Sequence, residues 1–97
     1  MNHRSERLRQ SANGEPCVKC GKIGSTVWCH SNESAHGKGM SLKAHDLLGL
    51  YLCGSCHHDY DRGPDMTREE RRELFRELYP KTMVRVAEKL ATGELRL

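Results

Sequence analysis

Two Cys-x2-Cys pairs, Cys17/Cys20 and Cys53/Cys56, constrain this chain more than any other feature. Two residues between thiols let one tight turn offer both sulfurs to one ion. Four thiolates around one ion are the pattern of a closed, structural zinc site. The length makes such a staple necessary. At 97 residues the chain is one domain. Folding at that size buries only about 60–65% of the unfolded surface. One Trp and one Phe thin the core further. Chains this small are held together by disulfides or a metal. The count of five Cys is odd, and the N-terminal stretch MNHRSERLRQ has no apolar segment of a secretory signal. Both point to the cytosol, where clustered cysteines read as ligands rather than disulfides. We therefore expect Cys17, Cys20, Cys53 and Cys56 to hold one structural Zn²⁺, with Gly21 and Gly54 suiting the turns. The fifth thiol, Cys29, is expected to pack within a strand.

Other classes are excluded by composition. The longest uncharged apolar run, Leu47 to Cys53, is far short of the roughly 20 residues a membrane span needs. The net charge of +3 is too small to require a polyanion partner. Its distribution gives only a weak hint of phosphate contact, from five Lys/Arg against two Glu over residues 1–22.

Local patterns divide the domain into a basic N-terminal arm (1–16), a zinc-bearing core (17–63) and a helical tail (64–97). Residues 4–12 form a short helix with few apolar anchors. Residues 25–30, STVWCH, read as a strand, because β-branched and aromatic residues cluster there. Residues 31–46 read as a loop. Leu47–Leu52 is an apolar run of strand length, and Gly49 within it marks a bulge or a close backbone approach. A helix starts at Cys53 and ends before Gly63-Pro64. Thr67 and Glu70 make a capping box. Leu74, Phe75, Leu78 and Tyr79 then form one apolar stripe. Pro80 is expected to break that helix or open a second one with the stripe Met83, Val86, Ala87 and Leu90, capped by Gly93.

The residues around the cysteines carry a second chemistry. His57 follows Cys56, and Asp61 lies four residues on, so a helix puts both on one face. His30 closes the first strand and Asp46 precedes the second. If a hairpin of those strands packs on the helix, His30, Asp46, His57 and Asp61 converge. They would then supply an imidazole base and an oxygen–nitrogen site for a divalent cation such as Mg²⁺ or Mn²⁺. That combination suits metal-assisted hydrolysis of a phosphodiester. Lys38 and Lys43, near the loop glycines, and His58, about 100° round the helix, are candidate phosphate contacts. Plainer roles exist for each: a surface histidine at a strand end, an aspartate capping a turn, a solvated helical acid, loop lysines. Arg68, Arg71, Arg72 and Arg76 interleave with Glu69, Glu70, Glu73 and Glu77, which reads as a solvated face rather than a DNA track.

Strand–His, long loop, strand, then Cys-x2-Cys-His opening a helix resembles the HNH, or ββα-metal (His-Me finger), endonuclease family. Cys29-His30, GKGMSLKAHD at 37–46 and CGSCHHDYD at 53–61 resemble small phage and prophage HNH-like proteins. The likeness covers roughly residues 7–63. It implies an α+β fold: a small zinc-stapled ββα-metal core of HNH or treble-clef type with C-terminal helices. It implies that His30 activates water and that His57 helps hold a catalytic cation. The family's middle Asn position is Leu48 here, and Asp46, two residues earlier, is the substitute. DNA is the implied partner, with a homodimer or a phage recombination or replication protein as further possibilities. A non-catalytic zinc module that binds nucleic acid or protein, or an inactive relic of a nuclease, would share the zinc site and the helices.

Overall fold

The computed structural model describes residues 5–31 and 47–97. The element order is α1 (Glu6–Gln10), β1 (Thr26–His30), β2 (Gly49–Cys53), α2 (Gly54–Arg62) and α3 (Arg68–Thr92). The two strands pair antiparallel, from Thr26 opposite Cys53 to His30 opposite Gly49. The class is α+β. Both strands and α2 lie within two residues of where side-chain patterning puts them.

All five residues of β2 are buried, so this strand is covered on both faces. Alternation sends Leu50 and Leu52 to one side, with Cys29, Cys56 and Tyr60, and with Phe75 and Leu78 of α3. Tyr51 goes to the other side, with Trp28, Leu8, Ala12, Val86 and Leu95. The hairpin thus separates two apolar clusters, and α3 contributes to both. Residues 5–16, expected as a basic arm, contribute fully buried Leu8 and Ala12 to the second cluster.

Among the described residues, the outer edge of β2 is closed by a backbone amide and a side-chain hydroxyl rather than by a third strand. Tyr51 and Trp28 face each other across the ladder, and their rings meet edge to face at 5.5 Å. The Tyr51 carbonyl accepts from the Val18 amide at 2.9 Å. The Tyr51 amide donates to Thr82 Oγ1 at 3.3 Å, and Thr82 is wholly buried. An unpaired backbone group in this position would cost about 1–3 kcal/mol, so a helix residue here completes the sheet.

α3 starts at the expected capping box: Thr67 Oγ1 accepts from the Glu70 amide, and Glu70 accepts from the Thr67 amide. It ends at Gly93, whose φ of 83° is in the left-handed region glycine tolerates. It does not break at Pro80 as the sequence led us to expect; one helix runs from Arg68 to Thr92. Pro80 removes one bond, to the Arg76 carbonyl, but both residues lie on the exposed face where water can take its place. Leu78 and Thr82, buried on either side, hold the helix against the sheet through the defect. Arg71 joins α2 to α3: it donates to the carbonyls of Tyr60, Gly63 and Met66, satisfying groups left over at the end of α2.

Gly49 is a close approach, as its place in an apolar strand implied. A Cβ built there would lie 2.5–2.8 Å from three atoms of the Trp28 indole ring. Gly49→Ala is expected to destabilise the fold by about 1–3 kcal/mol, the cost of forcing an extra carbon into a filled core. Urea unfolding measures it, and an unchanged midpoint would mean the ring is free to move aside. No helix among the described residues is long and apolar enough to cross a membrane.

Candidate metal centre

Cys17 and Cys20 come from a knuckle before β1. The Gly21 amide donates back to the Cys17 carbonyl, the Cys17 amide donates to the Lys22 carbonyl, and Gly21 takes a positive φ of 80° to close the turn. The bond from the Val18 amide to Tyr51 fastens this knuckle to β2. Cys53 is both the last residue of β2 and the N-cap of α2, and Cys56 lies in the first turn of that helix. The four sulfurs lie within 4.8 Å of one another. Cys20 Sγ and Cys53 Sγ are 3.6 Å apart, and all four thiols are free. A disulfide needs about 2.05 Å. A tetrahedron with metal–sulfur bonds of about 2.3 Å sets its sulfurs about 3.8 Å apart. The observed spacing is that of a metal cage.

The electrostatics point the same way. Burial pushes the Cys17 thiol up, but the amides of Cys20, Cys53 and Lys19 aimed at its sulfur outweigh this and bring its pKa down to about 6. The Cys56 amide holds Cys53 below the ordinary thiol range. Cys56 is driven well above that range, by burial first and then by the thiols beside it. Cys17 and Cys53 are thus biased toward the thiolate and Cys56 toward the thiol, and a cation would relieve the crowding, since unit charges 4 Å apart interact by about 4 kcal/mol at an effective dielectric of 20. Cys17, Cys53 and Cys56 are buried and Cys20 is exposed. Four cysteines so placed can hold a metal ion such as zinc. Cys29, buried in β1, stays outside the set and donates weakly to the His30 carbonyl, as expected of a packed strand thiol.

The remaining site residues are placed as follows. His57 and Asp61 share one face of α2, as their spacing required. Together with Gly54, His58 and Arg62 they line an open depression of about 210 Å³. His58, expected to point elsewhere, lies at the same depression and is 3.9 Å from the exposed Asp59 carboxylate. Asp61 is 3.6 Å from the Arg62 guanidinium. His30 closes β1, half-buried, opposite Gly49. Alternation gives its position the same face as Trp28, whereas Cys29 takes the α2 face. Among the described residues, the four cysteines are the group of metal-ligating atoms that comes together. Asp46, Lys38 and Lys43 lie outside the described residues.

Sequence reasoning did not find the polar cluster of Glu15, Arg85 and Lys89. Glu15 accepts from Arg85 at 2.7 and 3.2 Å and from Lys89 at 3.2 Å, and Lys89 also donates to the Ser11 carbonyl at 2.7 Å. Glu15 and Lys89 are both buried. Their 74-residue separation leaves no local pattern to read.

No family model, no curated protein and no solved structure matches this chain.

Proposed function

We propose that this protein is a metal-dependent endonuclease that hydrolyses DNA phosphodiester bonds, built on a core stapled by zinc at Cys17, Cys20, Cys53 and Cys56. The observation that carries the reading is the way α2 leaves the hairpin. The Cys53–Cys56 turn fixes the start of the helix, and His57 and Asp61 then line one open depression with His58 and Arg62. A closed four-sulfur site does no chemistry, so the residues beside it carry the reaction. His57, with Asp61 or Asp46, holds a divalent cation such as Mg²⁺ or Mn²⁺. When bound, that cation supplies charge stabilisation for the phosphorane and the leaving 3′ oxygen. His30 takes the proton from the water that attacks phosphorus in line. His58, Lys38 and Lys43 contact phosphate. With a net charge of only +3, DNA affinity is modest and salt-sensitive.

A second reading, a non-catalytic zinc module that binds nucleic acid or protein, is favoured by one observation. Strand alternation gives His30 the face of Trp28 rather than that of α2. Plasmid nicking over a series of cations decides between the two. His30→Ala is expected to keep fold and zinc content and to lower cleavage by roughly 10²–10⁴-fold, the scale of a lost general base. His57→Ala is expected to lose activity that excess Mg²⁺ or Mn²⁺ partly restores, whereas no cation rescues His30→Ala. Wild-type protein that cuts under no cation gives the binding module. Equal cutting by wild type and His30→Ala removes His30 from the chemistry.

A further inference from the structure

The outward face of α3 changes character at Pro80. Before it the exposed positions are charged, among them Glu69, Arg72, Glu73, Arg76 and Glu77. After it, Pro80, Val84, Ala87 and Ala91 are all exposed, and Val84 keeps 62% of its surface. Their spacing of four, three and four residues is that of a coiled-coil seam. Thr82 and Lys89, on the opposite side of the same turns, are buried against the rest of the protein. The seam therefore lies on the side of α3 facing away from the core. One flank of it carries Leu90, 43% exposed, and Met83, which is half-buried and packs in part against the second apolar cluster. The other flank carries the exposed Lys81 and Glu88.

We propose that this face pairs with the same face of a second copy of the chain, the two α3 helices running antiparallel about a two-fold axis. The flanks select both the occupant and the direction. An antiparallel two-fold lays each flank on its own counterpart, while a parallel one lays each on the opposite flank. In the parallel pair, Lys81 and Glu88 would cover Met83 and Leu90. In the antiparallel pair, Val84 meets Ala87 and Pro80 meets Ala91. The same register sets Lys81 against Glu88 and Met83 against Leu90, each twice. All four contacts follow from this one register, and it is the opposite charges of Lys81 and Glu88 that make it self-complementary. The alanines allow close approach of the two backbones. The seam is about 16 Å long at 1.5 Å per residue, and on a helix about 10–12 Å wide it covers far less than the roughly 800 Å² per partner of a standard interface. The dimer is accordingly weak and concentration-dependent. This inference does not rest on the nuclease reading.

Sedimentation equilibrium of the metal-loaded protein tests it. The average mass should rise from the 11.1 kDa monomer toward twice that value as concentration increases to about 1 mM. Val84→Glu should weaken association by at least about tenfold while leaving the circular dichroism melt unchanged, since the residue is exposed. Lys81→Glu and Glu88→Lys should each weaken self-association roughly three- to tenfold by placing like charges opposite one another. Mixing those two variants, or combining both changes in one chain, should restore it. A monomer at every concentration overturns the proposal. So does a dimer indifferent to Val84→Glu, or charge variants that fail to complement.

Discussion

Stripping metal from the four cysteines is expected to unfold the protein rather than loosen it. A chain of this size has a net stability of about 5–15 kcal/mol, and a structural zinc contributes about 10–16 kcal/mol of apparent binding energy in small zinc-dependent peptides. The cage therefore supplies as much as the whole fold has to lose. Its position amplifies the effect, because Cys53 ends β2, caps α2 and sits within the first apolar cluster. Strong chelation, or Cys53→Ser, should abolish the cooperative melt seen by circular dichroism. Cys29→Ser serves as the control and should keep about one ion per chain, the stoichiometry of one four-ligand site. A native melt with zinc absent by elemental analysis would show that the apolar clusters suffice alone.

Loss of the Glu15 carboxylate is the second large effect. Glu15→Ala leaves the buried Lys89 ammonium with the Ser11 carbonyl but no counter-charge. Breaking a buried pair from one side costs about 3–5 kcal/mol. Lys89→Met should cost much less, since Glu15 still pairs with Arg85, whose side chain is 39% exposed. The same cluster sets an acid limit. The Arg85 hydrogen bonds hold the Glu15 carboxyl below the ordinary glutamate range, against the opposing pull of burial and with help from Lys89. A depressed folded pKa stabilises the fold above the ordinary glutamate value, and this stability is lost as pH falls through the folded value. Glu15→Gln should remove that slope, at up to about 1.4 kcal/mol per pH unit. Equal stability of wild type and Glu15→Ala in urea would refute the pairing.

Much of the frame was legible because its signals are local. The cysteine spacing gave the cage, Thr67 with Glu70 gave the start of α3, and Gly93 gave its end. Gly49 in an apolar strand gave the close approach that the Trp28 ring explains. Pro80 misled, because the sequence does not say that the missing amide faces water while Leu78 and Thr82 pin both halves of the helix. Thr82 finishing the edge of β2 and Glu15 meeting Lys89 are long-range pairings whose partners carry no periodicity. The His57/Asp61 face followed from helix geometry, but the position of His30 depended on strand parity at a single terminal residue, where a one-residue change of register reverses the face.

The hairpin that divides the two clusters also divides their optical signals. The protein has one tryptophan, and its indole, 93% buried on the α1 side of the sheet with its N–H unpartnered, reports on Tyr51, Leu8 and Val86. Cobalt in the cysteine cage would absorb through its sulfur ligands and report only on the opposite side. Tryptophan emission and thiolate-to-cobalt absorption are therefore independent gauges of the two halves of an 11.1 kDa molecule. Coincident transitions would make the hairpin the bond between the halves. Separate ones would make it the seam along which they part.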